Sequence, residues 1–251
     1  MIFDSLTHAT EDGSWFSTNL NASITALLTH MSEFSVEKSI LSGLPTRDTN
    51  LFILSCGKNN PKQLIPIPML SNKGNQEIRK ECNEYKELGA KGFKIHPRLS
   101  KISLDDKKME LFFEIAQETQ LPLFICTVMT GVPSNQGDYI YSLSTTIKKF
   151  PNVKTVLLHG GYINLLPLSE AVRPLENVLI DLSATLPRFY DSSIGGDIKF
   201  LFRTFEKRIC LGSDFPEYSY DNVYSALDYL GLVDYEKDIL GGNLERFLSV
   251  K

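Results

Sequence analysis

The sequence predicts a single-domain α/β protein, a (β/α)8 barrel. Eight short apolar runs alternate with amphipathic stretches, the rhythm of parallel βα units. Eight such repeats in 251 residues is the usual size of a closed barrel. Segments that lead from helix to strand are short, whereas several that leave a strand are long, as where loops at strand C-terminal ends wall a pocket. A doubly wound open sheet is the competing arrangement. No linker, low-complexity segment or composition shift divides the chain, so residues 1–251 read as one domain.

The first strand begins at Met1 to Ser5, followed by the polar DSLTHAT run, Asp4 to Thr10. A helix is expected from about Asn19 to Phe34, with Ile24, Leu27, Leu28 and Met31 on one face. Ser39 to Leu44 reads as the second strand. Asn50 to Cys56 looks like a strand by composition but falls where a helix must connect parallel strands, and it is assigned as helix. Leu64 to Leu70 is the third strand and Gln76 to Leu88 a helix closed by Gly89. Gly92 to Ile95 is the fourth strand, ended by His96 and Pro97. Leu104 to Thr119 is amphipathic, with Asp105 and Asp106 near its N-terminus. Leu121 to Cys126, Val153 to Leu158 and Val178 to Leu182 are the next strands, interleaved with helices at Tyr139 to Lys149, Ile163 to Leu175 and Ile198 to Phe205. Long loops are expected at Thr127 to Asp138 and Ser183 to Asp191. Helices at Tyr220 to Leu230 and Asp234 to Ser249 close the chain.

The eighth strand is the most informative. In KRICLGSDFPE, Lys207 to Glu217, an apolar run flanked by charge ends in Gly212 and Ser213, and Pro216 stops extension. Asp214 therefore stands at a strand C-terminal end, where barrel enzymes keep their chemistry. The competing reading is an Asp that bonds its own turn.

Net charge is −4, which gives no general attraction for nucleic acid or an anionic surface. No window approaches the roughly 18 consecutive apolar residues of a membrane span, and Met1 to Thr10 is not a secretory leader. The four cysteines are far apart and form no CxxC pair, as expected of free thiols in a reducing cytoplasm. These features point to a cytoplasmic protein with a small-molecule substrate, no nucleic-acid or membrane partner, and room for a homo-oligomer.

Polar residues collect at the strand ends. His8 follows strand one, Lys94 and His96 belong to strand four and its end, Cys126 to strand five, His159 to strand six and Asp214 to strand eight. Asp181 lies in strand seven. The fourth histidine, His30, sits within a helix and reads as structural. If the barrel closes, these ends converge around one pocket. Imidazole and carboxylate suit zinc, manganese or iron, and a bound divalent ion would lower the pKa of its water to roughly 7. Without an ion, His159 and Asp214 form an acid–base pair. Arg98, Tyr162, Arg188 and Glu217 are candidates for the pocket mouth.

Six segments in order, DSLTHAT, GFKIHPRL, LPLFICT, HGG, LGSDFP and ILGGNLERFL, resemble landmarks of the amidohydrolase superfamily, closest to its amidohydrolase-related (type 2) branch of hydrolases and decarboxylases. The resemblance spans Met1 to Leu248. It implies a barrel with a metal site at the strand ends. In that family the first strand ends in His-x-His, whereas this chain has Leu6-x-His8; the fifth-strand histidine is matched by Cys126. The sixth-strand histidine is matched by His159, and the eighth-strand aspartate, a ligand and proton carrier, by Asp214. Lys94 and His96 match a KxH pattern in strand four, where they and Arg98 are expected to hold an anionic substrate group.

Three readings follow. A mononuclear divalent-metal site, zinc first, rests on His8, Asp214 and Cys126 or His159. Alternatively, the pocket works without metal through His159 and Asp214. In the third reading, the barrel is catalytically silent and binds a metabolite or a partner protein. The leading expectation is a hydrolase of a small carbonyl compound (a lactone, amide or ester), with decarboxylation second.

Overall fold

A computed structural model describes residues 1–129, 138–235 and 237–249. All strand pairings are parallel. In chain order the elements are β1 (Ile2–His8), α1 (Ile24–Glu33), β2 (Val36–Ser42), α2 (Arg47–Asn59), β3 (Leu64–Ile67), α3 (Asn75–Glu87), β4 (Phe93–Ile95), α4 (Pro97–Ser100), α5 (Lys108–Thr119), β5 (Leu123–Cys126) and α6 (Tyr139–Lys149). They continue as β6 (Thr155–Leu158), α7 (Leu165–Val172), β7 (Val178–Asp181), α8 (Thr185–Phe189), α9 (Ile194–Thr204), β8 (Ile209–Cys210), α10 (Tyr220–Leu230) and α11 (Asn243–Leu248).

Regular pairing gives one sheet in the order β1-β2-β3 and another in the order β4-β5-β6-β7-β8. Two seams join them into a barrel. At one, Lys94 N donates to Pro68 O (2.9 Å) and Leu70 N to Lys94 O (2.8 Å). At the other, Asp214 N donates to Leu6 O (3.0 Å) and His8 N to Phe215 O (2.9 Å). The closed barrel predicted from the repeat is therefore present, and the open sheet is not. Both seams carry polar residues singled out in the sequence, so closure itself aligns Lys94, His8 and Asp214.

Inward-facing side chains fill the barrel with an apolar plug that includes Phe3, Leu6, Ile40, Ile67, Phe124 and Val156. Outward-facing strand residues pack under the helices, as expected when parallel strands are covered on both faces.

Local chemistry explains where the elements differ from expectation. The ambiguous NLFILSC run is helical because Thr46 caps it, accepting from Thr49 N, and its apolar positions Ile53 and Leu54 face the core. β1 extends to His8, three residues beyond the expected Ser5, so His8 is held by the ladder. The expected helix at Ile163 starts at Leu165, because His159 to Tyr162 all have positive φ, from 56° to 84°. The loop expected at Ser183 to Asp191 contains the short helix α8. The closing helix expected from Asp234 breaks into a 3-10 turn, a π-helical turn over Asp238–Gly242 and α11, pinned where Asn243 Nδ2 donates to Ile209 O (2.7 Å). Of the loop expected at Thr127 to Asp138, residues 130–137 lie outside the described residues.

Candidate active site

A cavity of about 560 Å³ opens at the strand C-terminal ends. His8, Lys94, His96, Arg98, His159 and Asp214 all line it. Cys126, the remaining site candidate, is fully buried behind it against His96 and His159. Tyr162, Arg188 and Glu217, the further mouth candidates, also line the cavity.

The histidine protons follow from their partners. His8 Nδ1 lies 3.2 Å from Ser42 O, and a carbonyl can only accept, so Nδ1 carries the hydrogen. That leaves Nε2 as an acceptor, 3.3 Å from Lys94 Nζ and 3.6 Å from Asp214 Oδ1. His159 Nδ1 likewise donates to Ser183 O (2.9 Å). Its main chain is held by Asp181, whose Oδ2 accepts from His159 N (3.1 Å) and whose Oδ1 accepts from Ser5 Oγ (2.5 Å) and Ser183 N (3.1 Å). Asp181 thus positions His159 from beneath. Five cavity-lining residues other than glycine have positive φ: Phe16, His159, Tyr162, Ala184 and Asp214. Such backbone persists only where its surroundings hold it, and it gathers at functional sites.

The charges of this buried group are set mutually. Burial lowers the His8 imidazole, Lys94 lowers it further, and its pKa falls to about 4, so it is neutral at pH 7. Burial also lowers Lys94, to about 8, against the pull of Cys126 and Asp214. For Asp214 burial acts upward, but His159, His8 and Lys94 prevail and keep the carboxyl below its usual range. Burial alone would lower His159; Asp214 and the Cys126 sulfur outweigh it and raise the imidazole to about 9. Burial would raise the Cys126 thiol, yet His96 and His159 hold it well below its ordinary value. The arrangement is an anionic Asp214 and a thiolate-like Cys126 facing the cations of His159 and Lys94.

The metal shell expected on His8, Asp214 and Cys126 or His159 does not fit these positions. Among the described residues no three His, Cys, Asp or Glu side chains are grouped so as to hold an ion. Leu6, where the resemblance would place another imidazole, is packed in the apolar plug. The free nitrogen of His8 is engaged by Lys94. Cys126 is turned to the two imidazoles behind the cavity.

Sequence reasoning missed Trp15, although it is the only tryptophan of the chain. It is buried, its ring centroid is 4.9 Å from that of His8, and its Nε1 donates to Glu217 Oε1 (2.5 Å). This contact ties the segment after β1 to the segment after β8. Arg188 lies 5.7 Å over the Tyr162 ring, which places a cation beside an aromatic face at the mouth.

A closed parallel barrel with its titratable side chains at the strand C-terminal ends defines a barrel of the enzyme-bearing kind. The chain belongs to the amidohydrolase family, whose model matches residues 18–249. Its fold is shared with a probable 2-pyrone-4,6-dicarboxylic acid hydrolase from Acinetobacter baumannii, which has citric acid bound (TM-score 0.72, 16% identity, 98% of each chain covered). It is shared with 5-carboxyvanillate decarboxylase from Sphingomonas paucimobilis (0.71, 14% identity, 100% of this chain and 99% of that one). A zinc-bound amidohydrolase from Burkholderia multivorans is similar over all of both chains (0.74, 14% identity). No curated protein matches the chain. Among the described residues no helix is long and apolar enough to cross a membrane.

Proposed function

We propose that this protein hydrolyses a small carboxylate-bearing carbonyl compound, a lactone, amide or ester, in the strand-end cavity. The observation that carries this reading is the Asp214 carboxylate and the His159 imidazole lining one cavity, where the charge of Asp214 raises the imidazole. Asp214 accepts a proton from water as the water oxygen attacks the carbonyl carbon. His159 donates a hydrogen bond to the carbonyl oxygen as negative charge develops there. Collapse of the tetrahedral adduct breaks the bond to the leaving group, which takes the proton back from Asp214. Cys126 keeps His159 charged from behind.

The walls suit an anion. Arg98 and Arg188 stand at the mouth with Lys94 and His96 deeper, and among the described residues His96 Nδ1 has no hydrogen-bond partner. The Glu217 carboxylate also lines the cavity and is held by Trp15 Nε1. Citric acid in the Acinetobacter baumannii relative is consistent with an anionic ligand.

The test is a panel of lactones, amides and esters with and without a carboxylate, assayed with the parent protein, His159→Ala and Asp214→Asn. Hydrolysis of carboxylate-bearing members that is lost in both variants is expected. Release of CO2 from the panel without hydrolysis, or carboxylate binding without turnover, would overturn the reading in favour of a decarboxylase or a silent binding barrel.

A further inference from the structure

Lys94 is among the largest fully buried side chains of the protein, at 2% exposure. Lysine is almost never buried to this degree without a partner. Here the stem enters the barrel from β4 at the seam with β3, where the main chain of Lys94 makes both closing hydrogen bonds. Its Nζ reaches the cavity floor and meets His8 Nε2 at 3.3 Å. An ammonium has three N–H donors and no acceptor, so this nitrogen takes one and two remain for the cavity. The anions whose charge acts on it are Cys126, Asp214 and Asp181.

This is the environment of a bound cation: a neutral imidazole with its lone pair turned inward, a carboxylate beside it, and the Cys126 sulfur behind. The usual occupant of such a place is a metal ion. In this chain the point in front of His8 Nε2 is taken by a covalently attached positive charge. Leu6 in the apolar plug removes a further donor from the same wall.

We propose that the Lys94 ammonium is a built-in replacement for a metal ion: it occupies the cation position beside His8 and Asp214 and holds the carbonyl oxygen of the substrate. The second half rests on the hydrolytic reading above; the first does not. No bond to Lys94 forms or breaks. One Nζ–H stays on His8 and another meets the developing oxyanion together with His159, so two donors share the charge, as acyl transfer requires. His8 is then a positioning residue, whose lone pair fixes the ammonium.

The experiment has an arm that needs no activity. The full chain, purified without chelator, is analysed for zinc, manganese and iron, and zinc chloride is titrated calorimetrically into the parent, Lys94→Met and Lys94→Gln. The parent is expected to hold well under about a tenth of an equivalent of metal. Removal of the ammonium frees His8 Nε2 and deletes the repelling charge, so both variants are expected to bind zinc at least about tenfold more tightly than the parent. Near-stoichiometric metal in the parent overturns the proposal. So does an unchanged zinc affinity in whichever variant keeps the parent circular-dichroism spectrum, or an intact mass showing a carboxylated Lys94. The parent analysis stands even if neither variant folds. With a substrate in hand, Lys94→Met is expected to lower kcat by about 10²-fold or more while parent turnover resists chelator; chelator-sensitive parent turnover overturns the assignment.

Discussion

Asp4, fully buried, and Asp214, mostly buried at the cavity wall, are two carboxylates joined by the same β8–β1 seam, and their environments drive them in opposite directions. Asp4 lies beneath the cavity. Its Oδ1 accepts from Leu6 N (3.0 Å) and Ser213 N (3.1 Å), and its Oδ2 accepts from Ser213 Oγ (2.7 Å). No cation is among these partners, and burial raises its pKa from 3.8 to about 7 despite the hydrogen bonds. Asp214 lines the cavity, and burial acts on it in the same sense, but His159, His8 and Lys94 hold its pKa below the usual value. Burial is common to both; the counter-cations differ. One carboxyl is a packing and turn-holding group, the other a standing anion aimed at a pocket. Gly212 connects the two environments, since a Cβ there would meet Asp4 Oδ1 at 2.4 Å. The chain must pass that close for Ser213 to bind Asp4 while Asp214 turns outward at φ 53°.

The largest expected effect tests this division directly. Asp214→Asn is expected to lower turnover roughly 10³-fold with little change in melting temperature, since it removes the proton acceptor and keeps the shape. Asp4→Asn is expected to leave kcat within about threefold, because the group touches no cavity atom. Steady-state kinetics and thermal melts of both variants check the pair. Equal losses of turnover would mean that the two carboxylates act as one unit.

The second effect concerns stability and pH. The folded state binds a proton on Asp4 more tightly than the unfolded chain does. Its stabilising contribution is therefore complete below about pH 4 and fades as pH rises through about 7. A shift from 3.8 to about 7 corresponds to an effect on the order of 4 kcal/mol at most. Asp4→Asn presents the same acceptor to Leu6 N and an amide to the Ser213 hydroxyl, which can rotate to accept. It is expected to flatten the loss of stability between about pH 4 and 7, the interval between the two pKa values, and to exceed the parent above pH 7. Urea unfolding across that interval is the measurement. A parent whose stability does not fall over it would mean that Asp4 stays ionised.

The contrast between the two aspartates also marks what was legible beforehand. Asp214, His159, His8 and Lys94 were found because strand ends can be read from apolar runs and turn residues, and a closed barrel brings such ends together. The bonds that hold Asp4 were not legible, since they depend on Ser213 reaching across a seam between residues 209 positions apart. Trp15 lies in a stretch with no periodic pattern, so nothing local marks it as a wall of the site. The metal shell was inferred from residue types at matching positions. Those types do not reveal that Lys94 reaches His8, a contact that exists only after β4 closes against β3. Similarly, an apolar NLFILSC run does not by itself distinguish helix from strand; the Thr46 cap and the barrel connection do.

The smallest predicted effect extends the comparison from buried to exposed charge. Lys94 and His159 are buried and face fixed anions, whereas Arg98 and Arg188 are exposed at the mouth. An exposed guanidinium is screened by salt and contributes mainly to capture of an anionic ligand, whereas a buried cation acts on charge that develops during reaction. Arg188→Ala is therefore expected to raise KM about tenfold for a carboxylate-bearing substrate and to leave kcat within about twofold. The KM effect should shrink as ionic strength rises toward about 0.5 M, because the Debye length falls to a few ångströms. The kcat loss of Asp214→Asn should persist at the same salt. If Arg188→Ala instead lowers kcat independently of salt, the arginine reaches the reacting atoms, and the boundary between mouth and floor lies higher in the cavity than the burial pattern implies.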